Sequence, residues 1–275
     1  MNISFIGAGS MAEAIIAGLI EKNIAERKNI LVTNREDQTK LADLKKKYGI
    51  KPTYQMEELM EDTDMVIFAV KPKDAAAALK KIKPYLKEDT LFVSVMAGIS
   101  LSYMENRLNV QQPIARAMPN TSASVGKSAT AIAFNGSVSK HQKQLATTVF
   151  SSIGVTTVIE ENKLDAITAL SGSGPAYIYY VVEAMERSAA EIGLDADTAK
   201  KMILQTLVGA AEMLLTSGKE AAELRRDVTS PGGTTEAGIE VLQKENVQTA
   251  FMKCVKAAME QSKKLGGMHE SKQIV

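Results

Sequence analysis

The chain has 275 residues, 45% hydrophobic and 24% charged, with a formal net charge of +1. That length suits one large or two medium domains. The near-zero charge, with no basic run carrying interleaved aromatics, gives nucleic acid or a membrane surface no electrostatic footing. The one cysteine, Cys254, excludes an internal disulfide, and no His/Cys cluster suggests a metal.

Residues 2–6, Asn-Ile-Ser-Phe-Ile, read as a strand rather than a charged region before an apolar one. No signal peptide is expected, and the cytoplasm is the expected location. The longest uncharged stretch, residues 166–182, is broken by Ser-Gly-Ser-Gly-Pro and is too short to span a bilayer. The first strand leads into Gly7-Ala8-Gly9-Ser10-Met11-Ala12, and a helix follows through residues 13–21. Strand, tight turn and helix are the setting a dinucleotide fingerprint requires. Gly7 allows the turn, Gly9 admits a pyrophosphate, and Ala12 is small enough for helix to pack on strand. Ser10 and Met11 share the cofactor loop.

Residues 28–33 form the second predicted strand, ending in Asn34-Arg35. An NAD-specific site places an acid there, about 20 residues past the glycines, to bond the ribose 2′-hydroxyl. Here the end is neutral, then cationic. Arg35 can pair with a 2′-phosphate, which favours NADPH with NADH as the alternative. Glu36 and Asp37 are assigned to the first turn of the next helix, where acids suit the dipole. The acids of residues 57–64 read as a solvated helix face.

Residues 65–70 and 91–95 are continuous apolar runs, as expected of parallel strands buried on both faces. Each ends in candidate ligand contacts: Ala69-Val70-Lys71-Pro72 after one, Met96-Ala97-Gly98 after the other. Lys71 is placed to meet ribose or phosphate, and Ala97 lets a nicotinamide ribose approach. Arg116-Ala117-Met118-Pro119-Asn120-Thr121 follows a further apolar segment. Residues 74–85 and 139–150 read as helices, and 129–134 and 155–159 as strands.

From residue 162 the strand signal stops. Residues 177–192, 196–215, 235–244 and 247–265 follow helical spacing. Their apolar faces are broader than a lone bundle needs, which points to burial against a second subunit. The expected fold is therefore α/β: a Rossmann-like doubly wound domain over residues 1–160, then an all-helical dimerisation and substrate-binding domain over 161–275. Within it, Ser230-Pro231-Gly232-Gly233-Thr234-Thr235 runs into a helix start. Unpaired amides and two hydroxyls there suit a small carboxylate. The methionines read as core filler, and Cys254, on a helix among apolar neighbours, as a buried structural thiol.

The Gly7 to Ala12 loop, Ala69 to Pro72, Arg116 to Thr121, Leu170-Ser171-Gly172-Ser173-Gly174-Pro175-Ala176-Tyr177 and residues 227–235 together resemble pyrroline-5-carboxylate reductase. They occur in that family's order and span nearly the whole chain. The resemblance implies reduction of 1-pyrroline-5-carboxylate to proline with NADPH or NADH, and a homodimer that can assemble further. It implies a carboxylate cradle at Ser230, Gly233, Thr234 and Thr235, with the catalytic Thr235 hydroxyl near the imine nitrogen. The bend containing Ser173 is placed with the substrate beside the nicotinamide. Gln55-Met56 departs from the family, which often has Asn shortly after the third strand.

Hydride transfer to an imine that arrives protonated needs no strong protein acid. His141 and His269 lie in no predicted cleft, so catalysis reads as positioning plus electrostatics. Two other readings share the first loop. A β-hydroxyacid dehydrogenase would place a catalytic Lys on the long helix, and no Lys occurs between Lys163 and Lys200. A non-catalytic NADP(H)-binding paralogue would bind cofactor without turnover.

Overall fold

Met65-Val66-Ile67-Phe68 contains no polar residue because both of its faces are covered. In the computed structural model, which describes residues 1–108 and 111–271, this run is a central strand of an eight-stranded sheet. The elements in order are β1 (Ile3–Ile6), α1 (Ser10–Glu21), β2 (Ile30–Thr33), α2 (Gln38–Tyr48), β3 (Lys51–Pro52), α3 (Met56–Met60), β4 (Met65–Phe68), α4 (Ala75–Ile82), β5 (Leu91–Ser94), α5 (Leu101–Arg107), β6 (Ile114–Met118), β7 (Ser128–Phe134), α6 (Lys140–Ser151) and β8 (Gly154–Val158).

The strand order is β3-β2-β1-β4-β5-β6-β7-β8. β1 to β6 run parallel, β7 is antiparallel to β6, and β8 is parallel to β7. Successive residues of a strand face opposite sides, so β4 feeds two cores. Met65 and Ile67 join Ile15, Ile16 and Phe150 on one side. Val66 and Phe68 join Leu79, Phe92 and Met104 on the other. Each such side chain contributes about 1.5–3 kcal/mol when fully buried. The Pro of β3 is tolerated because that strand is at the sheet edge.

Contacts divide the chain into two units: Met1–Pro175 with the chain from Ala257, and Ala176–Lys256. The first unit also contains α7 (Leu164–Ile167), followed by a π-helical stretch, Thr168–Gly172. The second carries α8 (Gly174–Glu191) from Ala176 on, α9 (Ala196–Thr216), α10 (Ala221–Asp227) and α11 (Thr234–Lys244). α12 (Val247–Ser271) begins in the second unit and ends in the first. Among the described residues no strand follows β8, as the loss of strand signal predicts.

Two expectations need correction, and a third needs an addition. Glu36 is not in a helical turn: α2 starts at Gln38, and Asp37 is its N-cap, accepting from the Lys40 amide at 2.9 Å. Cys254 is exposed rather than buried, because the apolar faces around it are not closed within one chain. The acids of residues 57–64 are largely solvated, as expected, with Glu57, Glu61, Asp62 and Asp64 exposed, and several are also paired. Glu57 accepts from the Tyr85 hydroxyl, Glu58 pairs with Lys51 at 2.8 Å, and Asp64 accepts from the Asn2 amide at 2.7 Å.

Candidate active site

Ligands of open parallel sheets bind at the carboxyl ends of the strands, where the strand order reverses. Here that point lies between β1 and β4. Gly7 leaves β1 with φ +112°, and its amide donates to Thr33 O at 2.9 Å. A Cβ on Gly7 would lie 2.4 Å from Ala69 O. The glycine is thus required by the close approach of the β1 and β4 exits, and the structure brings Gly7, Ala69 and Val70 together. Gly9 is different. It is exposed, and a Cβ there would meet nothing within 4 Å.

Gly9 is also the N-cap of α1, with no side-chain cap. The first-turn amides around Ser10 and Met11 therefore face an open approach at the positive end of a 12-residue helix. That construction fits a pyrophosphate, which needs backbone donors and room for close contact. By contrast, α2, α6 and α9 begin with Asp37, Ser139 and Asp195, whose side chains take the orphan amides.

At the exit of β2, Asn34 is pinned rather than free. Its amide group donates to Asp37 O at 2.6 Å and accepts from the Asp37 amide at 3.0 Å and the Tyr54 hydroxyl at 2.9 Å. Arg35 is exposed and pairs with Glu36, with its Nε 3.2 Å and a terminal nitrogen 3.0 Å from one carboxylate oxygen. After β4, Lys71 is exposed and Pro72 opens a short 3₁₀ turn, Pro72–Asp74. After β5, Ala97 is exposed and Gly98 has φ +73°.

Arg116 does not line the site. It is a buried residue of β6, 3.2 Å from Glu161 and 4.0 Å from Asp165. Asp165 also accepts from the Ser262 hydroxyl at 2.7 Å. Beyond it, Asn120 donates to Ser171 O at 3.0 Å, and a Cβ on Gly172 would touch the Met118 side chain at 3.0 Å. The exit of β6 therefore seats the Ser171 to Ser173 segment. The expected bend is the π-helical stretch, closed by the Ser173 amide donating to Thr168 O at 2.8 Å. Ser173 is half-buried there.

The second unit holds the other candidate residues. Ser230-Pro231-Gly232-Gly233 is a turn closed by the Gly233 amide donating to Ser230 O at 3.0 Å, with Gly232 at φ +73°. Pro followed by a positive-φ glycine is the type II pattern. Gly233 is then the N-cap of α11 and brings no side chain to the first-turn amides. The Glu236 carboxylate accepts from the Gly232 amide at 2.7 Å. Thr234 and Thr235 occupy the first two helical positions, both exposed. Their hydroxyls have no partner among the described residues.

Sequence reasoning missed Glu36 as the partner of Arg35, and Tyr54 as the residue that fixes Asn34. The adjacency of Glu36 to Arg35 was the available signal for the first. Tyr54 stands just past a two-residue edge strand too short to announce itself. His141 is exposed on α6, as expected, and the His269 side chain lies outside the described residues. A cavity of about 490 Å³ between the end of α1 and α6 is lined by Lys22, Gln144 and Thr148, at the far end of α1 from the glycine loop. Among the described residues no group of His, Cys, Asp and Glu forms a metal site.

A doubly wound sheet with an open glycine-led helix at its switch point, followed by a helical unit, defines a nicotinamide-dinucleotide oxidoreductase. Residues 2–98 match the family described as NADP oxidoreductase coenzyme F420-dependent, and residues 161–265 match pyrroline-5-carboxylate reductase dimerisation. Pyrroline-5-carboxylate reductase 2 of Bacillus subtilis (strain 168) is 44% identical over 261 residues, 95% of this chain and 94% of that protein.

The solved pyrroline-5-carboxylate reductase of Coxiella burnetii superposes with a TM-score of 0.90 at 38% identity, covering 96% of this chain and 98% of that one. The Plasmodium falciparum pyrroline carboxylate reductase, solved with NADP bound, gives 0.87 at 31%, covering 97% and 98%. The chain belongs to the pyrroline-5-carboxylate reductase family. This leaves a β-hydroxyacid dehydrogenase disfavoured, in keeping with an α8 that carries no Lys.

Proposed function

We propose that this protein reduces 1-pyrroline-5-carboxylate to L-proline with NADPH, or NADH, as hydride donor, the last step of proline synthesis. The observation that carries the reading is the repeated construction of two helix starts. α1 and α11 both begin behind a glycine N-cap with no side-chain cap, one at the switch point and one behind the Ser230–Gly233 turn. One suits a pyrophosphate and the other a small carboxylate. The bound dinucleotide supplies the hydride that reduces the imine carbon.

In this reading Gly7, Gly9, Ser10 and Met11 hold the pyrophosphate, and Asn34 and Arg35 the adenosine end. Ala69, Val70, Lys71, Pro72 and Ala97 border the rest of the dinucleotide. Ser230, Gly233 and Thr234 cradle the substrate carboxylate, and Ser173 lines the substrate beside the nicotinamide. The Thr235 hydroxyl bonds the ring nitrogen as it gains electron density. Substrate arriving as the iminium ion leaves the chain no proton to supply before hydride transfer, so orientation and fixed dipoles carry the rate.

Residues 1–160 serve the dinucleotide, and 161–275 serve dimerisation and substrate. A homodimer, able to assemble further, is supported by the dimerisation-family match and by apolar residues exposed along the helices. The expected cytoplasmic location stays part of this reading, and among the described residues no helix is long and apolar enough to cross a membrane. The test is oxidation of NADPH and of NADH with pyrroline-5-carboxylate, with proline measured as product. Binding of NADPH without proline formation would refute the enzyme and leave a cofactor-binding paralogue.

A further inference from the structure

Arg35 does not present a free guanidinium. Its Nε and one terminal nitrogen both point at a single Glu36 oxygen, 3.2 and 3.0 Å away. The Asp74 carboxylate, in the turn that leaves β4, adds to the negative field around it. The backbone beneath this pair is fixed. Asn34 is tied to Asp37 in both directions and to the Tyr54 hydroxyl, and Asp37 is tied to the Lys40 amide. With the residues on either side held, Glu36 leaves Arg35 most simply by rotation of its side chain. Both side chains are about three-quarters exposed, 75% and 76%, so that rotation is unhindered.

A 2′-phosphate is recognised best when it accepts two parallel N–H bonds from one edge of a guanidinium. The Nε edge of Arg35 is that kind of edge, and Glu36 already occupies it. An incoming phosphate must break the Arg35–Glu36 pair or bind beside it, so its binding either costs the pair or places two like charges close together. A ribose with a free 2′-hydroxyl demands neither, and the Arg35–Glu36 pair stays closed.

We infer that Glu36 is a specificity-determining residue, which masks Arg35 and so narrows the advantage of NADPH over NADH. This rests on the proposed role of Arg35 as the 2′-phosphate ligand. The consequence is a protein that uses both cofactors more evenly than its cationic strand end suggests.

Titration calorimetry with 2′,5′-ADP and 5′-AMP separates the two claims, because these ligands share the adenosine and differ at the 2′ position. Glu36→Gln is expected to bind 2′,5′-ADP about two- to fivefold more tightly than the wild type, the range of one exposed ion pair. Its 5′-AMP affinity should stay within about twofold, and the gain for 2′,5′-ADP should shrink as salt is raised. Arg35→Ala should lose affinity for 2′,5′-ADP and keep it for 5′-AMP. If Arg35→Ala loses nothing, the reading of Arg35 itself falls. If Arg35→Ala loses affinity but Glu36→Gln gains none, or gains equally for both ligands, only the masking role is overturned.

Discussion

In the first unit Phe5, Phe68 and Phe92 are fully buried, and every residue of β1, β4 and β5 is inside. In the second, Tyr180, Leu215 and Met252 stand 74%, 80% and 73% exposed, and its buried cluster is Ala189, Ala199 and Ile203. The sheet closes a core from its own sequence, with helices on both faces. The helices of the second unit carry apolar stripes that their own packing leaves open. Leu204, Val208 and Leu215 share one face of α9 by their spacing of four and seven residues, and all three are exposed. An element that exposes this much apolar surface depends on something outside itself for stability. The dimerisation-family match falls on this region. The first unit's core is thus closed by its own chain, whereas the second leaves its apolar stripes open, as the proposed dimer requires.

The strongest way to break that contrast is to put a charge in the middle of the α9 stripe. Val208→Glu buries an unpaired carboxylate if a second copy covers the stripe, a loss of more than about 4 kcal/mol. The variant should run as a monomer in light scattering, with reduced helicity and a sheet unit that still melts cooperatively. The wild-type melting temperature should rise with protein concentration. A wild-type monomer at micromolar concentration with a concentration-independent melt would refute the assembly argument.

Two glycines of one loop sharpen the same contrast within the first unit. Gly7→Ala places a methyl 2.4 Å from Ala69 O at φ +112°, and should lower stability by more than about 3 kcal/mol. Gly9→Ala meets nothing and leaves φ at −75°, so the melting temperature should not move. Its effect should appear in NADPH affinity alone, roughly tenfold or more for loss of a charge-assisted backbone contact. A Gly9→Ala variant that binds NADPH normally would remove the pyrophosphate from this helix start.

Thr235 tests the second unit's chemistry apart from its assembly. If its hydroxyl bonds the ring nitrogen as hydride arrives, Thr235→Ala should lower kcat/KM by about 10²-fold, near 2.7 kcal/mol, with NADPH affinity unchanged. Thr235→Ser should recover most of the activity, and Thr235→Val should not, despite its matching shape. Equal activity in Ser and Val variants would leave Thr235 as a shape-filling residue at a helix start.

What could be read beforehand follows from how local each feature is. The β4 run, the Gly7 turn and the Ser230–Gly233 turn depend on a few adjacent residues, and the sequence shows them directly. The direction of β7 does not, because an apolar run looks the same read either way, and only its pairing with β6 sets it antiparallel. β3 has two residues, one of them a proline, so no period exists to find. Dipole grounds place Glu36 in a helix, whereas Asp37 caps α2 and leaves Glu36 on Arg35. The apolar neighbours of Cys254 suggest a core thiol, but a single sequence does not say which apolar faces close within one chain.

The smallest effect should be confined to the first unit. Glu13 on α1 accepts from Lys40 at 2.6 Å, Lys47 at 2.9 Å and the Tyr48 hydroxyl at 3.2 Å, joining α1 to α2. The hydrogen bond from Lys40, then that from Lys47, brings its carboxyl down from 4.5 to about 2. A depressed carboxyl stabilises the fold above its unfolded value, near 4.5, and loses that contribution as pH falls through about 2. Lys47 is 64% exposed and Lys40 36%, so solvent screening limits the network to about 1 kcal/mol. Glu13→Gln should therefore melt slightly below the wild type at pH 7, and the two curves should converge between pH 4.5 and 2. The added opening should appear in hydrogen exchange of α1 and α2 and leave α9 unchanged. A difference that persists at pH 2 would assign the effect to the acceptor that the amide lacks rather than to the charge, and a change in α9 would mean that the two units do not open independently.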